Sequence, residues 1–309
     1  MTTVLLGALA RNLDLVALRS LFLRVPVWFY LTSLAVVLVG QVAYAWRWRL
    51  LLEAAGVSVP FTKIVRQYFV GIFVNNFLPS TVGGDVAKVY YLGRDYGRLV
   101  VLASVAIDRL LGVGLLALLA VTALAVIPVS VPRLTAAQLA CGAIALAAAV
   151  VLVLTGVGTG GLAVRVAWMG VRAVTLAERM QRLRLEMAAP LRQPAVIAKA
   201  AVVVVGYAFA VSVLYARFVA QHSNAVPPLL AMFAILSATT VLSNVPISLN
   251  GLGLREQLHV SLLAPIGIAP EVAVAMSLLL YAHLVIASLI GLVFWLQQPR
   301  ASRGVPGAT

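Results

Sequence analysis

Residues 73–88 read Phe73-Val74-Asn75-Asn76-Phe77-Leu78-Pro79-Ser80-Thr81-Val82-Gly83-Gly84-Asp85-Val86-Ala87-Lys88. Pro79 has no backbone N–H, and its ring clashes with the preceding turn, so a helix arriving through Phe73 stops there. Gly83-Gly84 open backbone conformations closed to other residues. Asp85 then falls where the next helix begins, a favourable end for an acid. Lys88 follows one turn later, close enough to pair with it. The stretch is a helix, a break and a second helix, with polar groups gathered at the break.

What surrounds the break makes this decisive. Six apolar stretches reach the roughly 20 residues that a membrane-spanning helix needs: Val27–Trp46, Leu99–Ile127, Leu134–Gly156, Ala195–Val219, Leu229–Leu249 and Val272–Leu296. They are continuous and not alternating, which excludes a β-barrel. Two further apolar segments, Phe61–Pro79 and Leu258–Ile268, are short and interrupted by Gly, Pro or Asn. Of the 309 residues, 63% are hydrophobic and 10% charged, too few polar groups to cover a globule in water. Cys141 is the only cysteine, so no intrachain disulfide scaffold exists. The sequence predicts an all-α, polytopic membrane helix bundle.

The charge is lopsided, with 23 Lys+Arg against 9 Asp+Glu. Without a basic stripe interleaved with aromatics, the excess reads as a topology signal and not as nucleic-acid binding. Basic residues favour the cytoplasmic side. Arg47, Arg49, Lys63 and Arg66 place residues 47–66 there. So do Arg165, Arg172, Arg179, Arg182, Arg184, Arg192 and Lys199 for the connection after residue 157, and Arg300 and Arg303 for the tail. The nearly uncharged connections Pro128–Arg133 and Gln221–Pro228 fit the outside. Residues 61–98 must then enter and leave from the cytoplasm, and residues 229–268 from the outside. Each reads as a re-entrant helical hairpin. Two halves of like order and opposite orientation make an inverted repeat, where substrate sites form at broken helices.

One membrane domain results. Residues 1–26 form an interfacial or partial helix, and 27–157 the first half. Residues 158–194 form a basic amphipathic cytoplasmic connection, 195–297 the second half, and 298–309 a cytoplasmic tail. Arg47, Trp48 and Arg49, at the end of an apolar run, read as interfacial anchors.

Three constellations carry charge into this apolar frame. The first is the quoted break: Asn75, Asn76, Pro79, Gly83, Gly84, Asp85 and Lys88. It is either a capped turn with a neutralised pair or a polar notch for a charged headgroup. The second is Asp108-Arg109, inside Leu99–Ile127. Each charge costs about 2.5–3.5 kcal/mol at a helix centre. Helix neighbours point about 100° apart, so Asp108 can pair with a cation elsewhere and leave Arg109 for an anion, unless both snorkel. The third repeats the first: Ser243, Pro246, Asn250, Gly251 and Gly253, then Arg255-Glu256. Arg255 suits a phosphate, while Glu256 can orient that arginine, pair with Arg109 or take a cation. Gly156-x-Gly158-x-x-Gly161 follows a membrane helix and no strand, so it is no dinucleotide site. Glu256-x-x-His259 lacks the second copy that a di-iron site needs. No cofactor and no metal site is expected.

The order Arg47-Trp48-Arg49-x-Leu51-Leu52, then Asn75-Asn76-Phe77-Leu78-Pro79 with Gly83-Gly84-Asp85-Val86-x-Lys88, then Asp108-Arg109-Leu110-x-Gly112, then Pro246 to Glu256 resembles the lysylphosphatidylglycerol synthase transmembrane family over about residues 41–296. The resemblance implies a multi-pass protein of the inner or plasma membrane that binds or moves lipid. In the family's best-known member the domain carries aminoacylated phosphatidylglycerol to the outer leaflet; other members stand alone, some linked to cardiolipin or polyprenyl-linked sugars. Aminoacyl transfer belongs to a separate soluble domain, for which no polar stretch here is long enough. Three departures stand out: Lys88 for the usual Arg, Asp108 for the usual Glu, and a first spanning helix reduced to residues 1–24.

The expected activity is flipping, not catalysis, of an anionic or aminoacylated phospholipid or a polyprenyl-linked lipid. It would be passive or ion-coupled, since no ATP-binding motif is present. Two alternatives remain: a scaffold or lipid-binding partner for a glycosyltransferase or lipid synthase, and an intramembrane lipid-modifying enzyme using the carboxylates as acid and base. Self-association is left open. The topology is checked by cysteine labelling in intact cells: single cysteines in 128–133 and in the tail should label from opposite sides, and labelling from one side would refute the inverted arrangement.

Overall fold

The computed structural model describes residues 15–76, 82–126, 132–156, 171–223, 227–244 and 251–298. Among them the chain is all-helical. Its helices are α1 (Leu15–Arg24), α2 (Val27–Ala54), α3 (Phe61–Asn75), α4 (Gly83–Tyr96), α5 (Arg98–Val126), α6 (Pro132–Gly156), α7 (Val171–Leu191), α8 (Pro194–His222), α9 (Leu229–Ser243), α10 (Leu254–Leu263) and α11 (Pro270–Leu296). Prolines mark where helices start: Pro26, Pro60 and Pro228 precede α2, α3 and α9, and Pro194 and Pro270 open α8 and α11. A proline there forfeits only an N–H that has no helical partner.

Among the described residues five helices are long and apolar enough to cross a membrane: α2, α5, the Leu134–Leu152 part of α6, α8 and α11. The sixth stretch, Leu229–Leu249, reaches spanning length in the sequence, but its described helix is shorter. Its helix ends at Ser243 after 15 residues, about 22 Å at the α-helical rise, short of a core about 30 Å thick. Asn244 Nδ2 and Ser243 Oγ both donate to the Thr240 carbonyl, at 2.8 and 3.2 Å. These side chains supply the hydrogen bonds that further helical turns would have made.

The other short helices form two pairs, α3 with α4 and α9 with α10. The first pair opens at one end of the bundle. Lys63, at the start of α3, pairs with Asp95, at the end of α4, at 2.6 Å. The end of α11 reaches the same pair through Trp295 to Tyr91 and Gln298 to Gln67. Gln193, before α8, donates to Ala54 O at the end of α2. At the opposite end the start of α2 meets the end of α8, around Arg24, Pro26 and His222. From there the chain enters α9 and, after α10, α11.

The packing is two-fold. Exchanging α2 with α8, α3 with α9, α4 with α10 and α5 with α11 maps each substantial contact among these helices onto another or itself. The closest cross-half contact, α3 on α11, becomes α9 on α5. Among the described residues, helices α1, α6 and α7 have no counterpart. α7 carries the expected amphipathic face: Leu183, Met187 and Leu191 pack beneath Leu51 and Ile107.

Glycines set the tightest approaches. A Cβ on Gly84 would overlap Gly71's carbonyl oxygen, and one on Gly291 would overlap that of Phe69. Small residues are how helices associate in lipid, where burial between helices supplies no hydrophobic drive. Gly84→Ala should therefore lower the melting temperature of the detergent-purified protein by several degrees. Gly206→Ala, whose Cβ meets nothing within 4 Å, should leave it level or slightly higher. Equal effects at both sites would contradict this packing.

Candidate functional site

Charge converges on the break of the first short pair. Asp85 lies in the first turn of α4. Its Oδ2 pairs with Arg109 Nε from α5, and its Oδ1 lies 3.4 Å from Lys88 Nζ. Lys88 Nζ also sits 4.4 Å from the Tyr68 ring centroid and 5.3 Å from that of Trp48, inside cation–π range. Asn75, ending α3, accepts the Gly84 N–H at 2.6 Å. That bond satisfies an N–H which the helix start leaves without a partner and closes α3 onto α4.

Asp108 serves a different partner from its neighbour Arg109. Arg47 Nε and Nη2 donate to its two carboxylate oxygens, each at 2.8 Å. The Arg47 guanidinium stacks over Tyr44 at 4.7 Å. Both side chains are buried, 7% and 10% exposed. Gly112, one turn beyond Asp108, gives the guanidinium its room, since a Cβ there would lie 3.1 Å from Nη1.

Arg47 and Trp48 are thereby corrected from interfacial anchors to interior residues. Trp48 is 0% exposed, and its Nε1–H donates to Ser104 Oγ at 3.0 Å. An indole and a guanidinium pointing into the bundle find partners on α5 that a lipid interface would not supply. Arg49 does lie at the surface, paired with Glu53 at 2.8 Å.

These groups line a cavity of about 200 Å³ holding Arg47, Lys88 and Arg109 against Asp85 and Asp108, a surplus of one positive charge. Thr240 and Asn244 of α9 close it from the other half. A second cavity of about 210 Å³ adjoins it and shares Tyr44, Leu116, Thr240 and Asn244. Ser243 and Arg255 line this second one. Glu256 turns away from it: 1% exposed, its carboxylate accepts from Gly253 N–H at 2.6 Å and Ser277 Oγ at 2.8 Å. Gly251 and Gly253 take positive φ of 80° and 86°, a turn that only glycine makes without strain. Gly83 is buried at the start of α4, and Asn76 caps α3. Pro79, Pro246 and Asn250 lie outside the described residues. The sequence reading missed Tyr44, Tyr68, Thr240 and Asn244. Gln41, Tyr44 and Trp48 recur at helical spacing, the one signal that a face of α2 turns inward.

Breaking a buried pair leaves a bare charge and costs about 3–5 kcal/mol, whereas removing both partners is often neutral. Arg47→Met and Asp108→Leu should each sharply reduce folded yield and thermal stability, and the double variant should recover much of the loss. Additive losses would mean that the pair does not act as a unit.

A family model described as "Lysylphosphatidylglycerol synthase TM region" matches residues 1–296. The chain is also 31% identical over 100 residues to UPF0104 membrane protein PH1989 of Pyrococcus horikoshii, a match covering 30% of this chain and 29% of that protein.

Proposed function

Since the chain belongs to the lysylphosphatidylglycerol synthase transmembrane family, a multi-pass membrane family, we propose that its charged cavity takes the phosphate of a membrane lipid and carries the headgroup between leaflets. One observation carries this reading: Asp85, Lys88 and Arg109 meet at the break between α3 and α4, in a cavity with a surplus positive charge. In the proposed arrangement α3–α4 and α9–α10 are re-entrant from opposite sides, so the break lies within the membrane. Polar backbone at that depth needs a protein or water-filled cavity around it.

The electrostatics favour an exchangeable anion. Arg47 is committed to Asp108 by two short bonds, a structural pair. Arg109 and Lys88 both pair with Asp85, and the cavity lining as a whole carries one more cation than anion. A phosphate entering here gains charge-assisted hydrogen bonds, and Asp85 keeps both cations in place when it leaves. Acyl chains remain in the bilayer, and only the headgroup crosses.

The test is a dithionite-quench flipping assay with a fluorescent anionic phospholipid in proteoliposomes. Arg109→Ala and Asp85→Ala should each cut the flipping rate by an order of magnitude or more at equal incorporation. Wild-type rates in both variants would overturn the assignment.

A further inference from the structure

Helix α4 forms one wall of the charged cavity, and its two faces differ. Val82, Val86 and Tyr90, each one turn apart, are exposed. The opposite face carries Asp85, Lys88, Tyr91 and Asp95, three or four residues apart, the spacing of a single helical face. All four have polar side-chain partners. Asp85 pairs with Arg109 of α5 and with Lys88. Tyr91 Oη accepts from Trp295 Nε1 of α11 at 3.0 Å, and Asp95 holds Lys63 of α3 at 2.6 Å. The first two residues line the cavity. The last two, up to two turns beyond Lys88, close the mouth between α3, α4 and α11.

The two ends of this polar stripe are held differently. At the cavity end α4 meets α3 through main chain. Gly84 lies against the Gly71 carbonyl oxygen with no room for a Cβ, and its N–H donates to Asn75. At the mouth the links run from side chain to side chain and face water. Lys63 and Asp95 are 37% and 54% exposed, and the Trp295–Tyr91 bond is exposed as well. Such links contribute little to stability, because water replaces them readily. Beyond Lys88, Leu92 is the one apolar side chain of α4 that is fully buried. The helix is anchored at one end and lightly fastened at the other, as a hinged lid is.

The ion pair has no two-fold equivalent. α9 contains no charged residue, and α10 has no Asp, Glu, Lys or Arg after Glu256. The fastening therefore belongs to one mouth of the molecule.

We propose that α4 is a gate on the charged cavity, latched by Lys63–Asp95 and Tyr91–Trp295, and that release of these links admits the lipid headgroup from the cytoplasmic side. The inference rests on the lipid-phosphate reading above and adds how that site is entered. Swinging the far end of α4 outward uncovers Asp85 and Lys88 on the side where its exposed face meets lipid. A phosphate arriving at the mouth competes with Asp95 for Lys63, so the ligand itself favours the open state.

Thiol accessibility in the full-length protein tests this. Cys141→Ala with Ile72→Cys gives a parent with one thiol in the cavity lining. A charged methanethiosulfonate applied to inside-out vesicles then reports opening from the cytoplasmic side. Lys63→Ala and Trp295→Phe should each raise the labelling rate about two- to fivefold, the scale of one exposed pair. Exchanging the charges, Lys63→Asp with Asp95→Lys, should return it to the parent rate. In the Cys141→Ala protein, joining Lys63→Cys to Asp95→Cys with a short thiol cross-linker should bring flipping in proteoliposomes to background, and reductant should restore it. Labelling unchanged in both single variants overturns the gate and leaves the phosphate site standing, as does flipping indifferent to the cross-link. An exchanged pair that labels as fast as Lys63→Ala overturns the ion-pair latch. A parent that flips no lipid overturns the transport reading, and labelling alone then decides the gate.

Discussion

The Arg47–Asp108 pair is the constraint around which the first half of the molecule is arranged. Both groups sit inside an apolar bundle, where neither charge persists alone. Their mutual satisfaction fixes the rotation of α2 against α5, and the glycine at position 112 gives the guanidinium room. It also removes Asp108 from competition for Arg109. Arg109 therefore turns to Asp85 and links α5 to α4, so the position of the polar break follows from a pair that does not touch it.

That pair also shows where sequence reading stops. Helices were legible from composition, and the break between α3 and α4 from Pro79 and Gly83-Gly84, because both signals are local. The Asp85–Lys88 pairing was legible for the same reason: it spans three residues. Arg47 was not, since its partner lies 61 residues away, and an Arg-Trp-Arg at the end of an apolar run has the composition of an interfacial belt. Leu229–Leu249 shows what apolar length alone overstates. Hydropathy averages over Ser243-Asn244, while their side chains end the helix within one turn. The second cavity was invisible for a different reason: its walls come from α2, α5, α8, α9, α10 and α11, and only coordinates bring them together.

The two cavities divide the chemistry of one site. The first holds fixed charges in near balance, with Lys88 and Arg109 both paired to Asp85. The second brings Arg255 together with tyrosine, serine, threonine and histidine side chains and has no carboxylate in its described lining.

The two-fold packing carries a consequence for motion. When each substantial contact among eight helices has a counterpart, a displacement of one half and the matching displacement of the other break and form similar interfaces. To the extent that the halves are alike, such states are degenerate, and packing among the eight favours neither. What lifts the degeneracy is whatever lacks a twin: α1 against α11, α6 against α5, and α7 beneath the α2–α5 crossing. Among the described residues these three helices are the asymmetric part of the packing, so a preference between two such states comes from them and from side chains that differ between the halves.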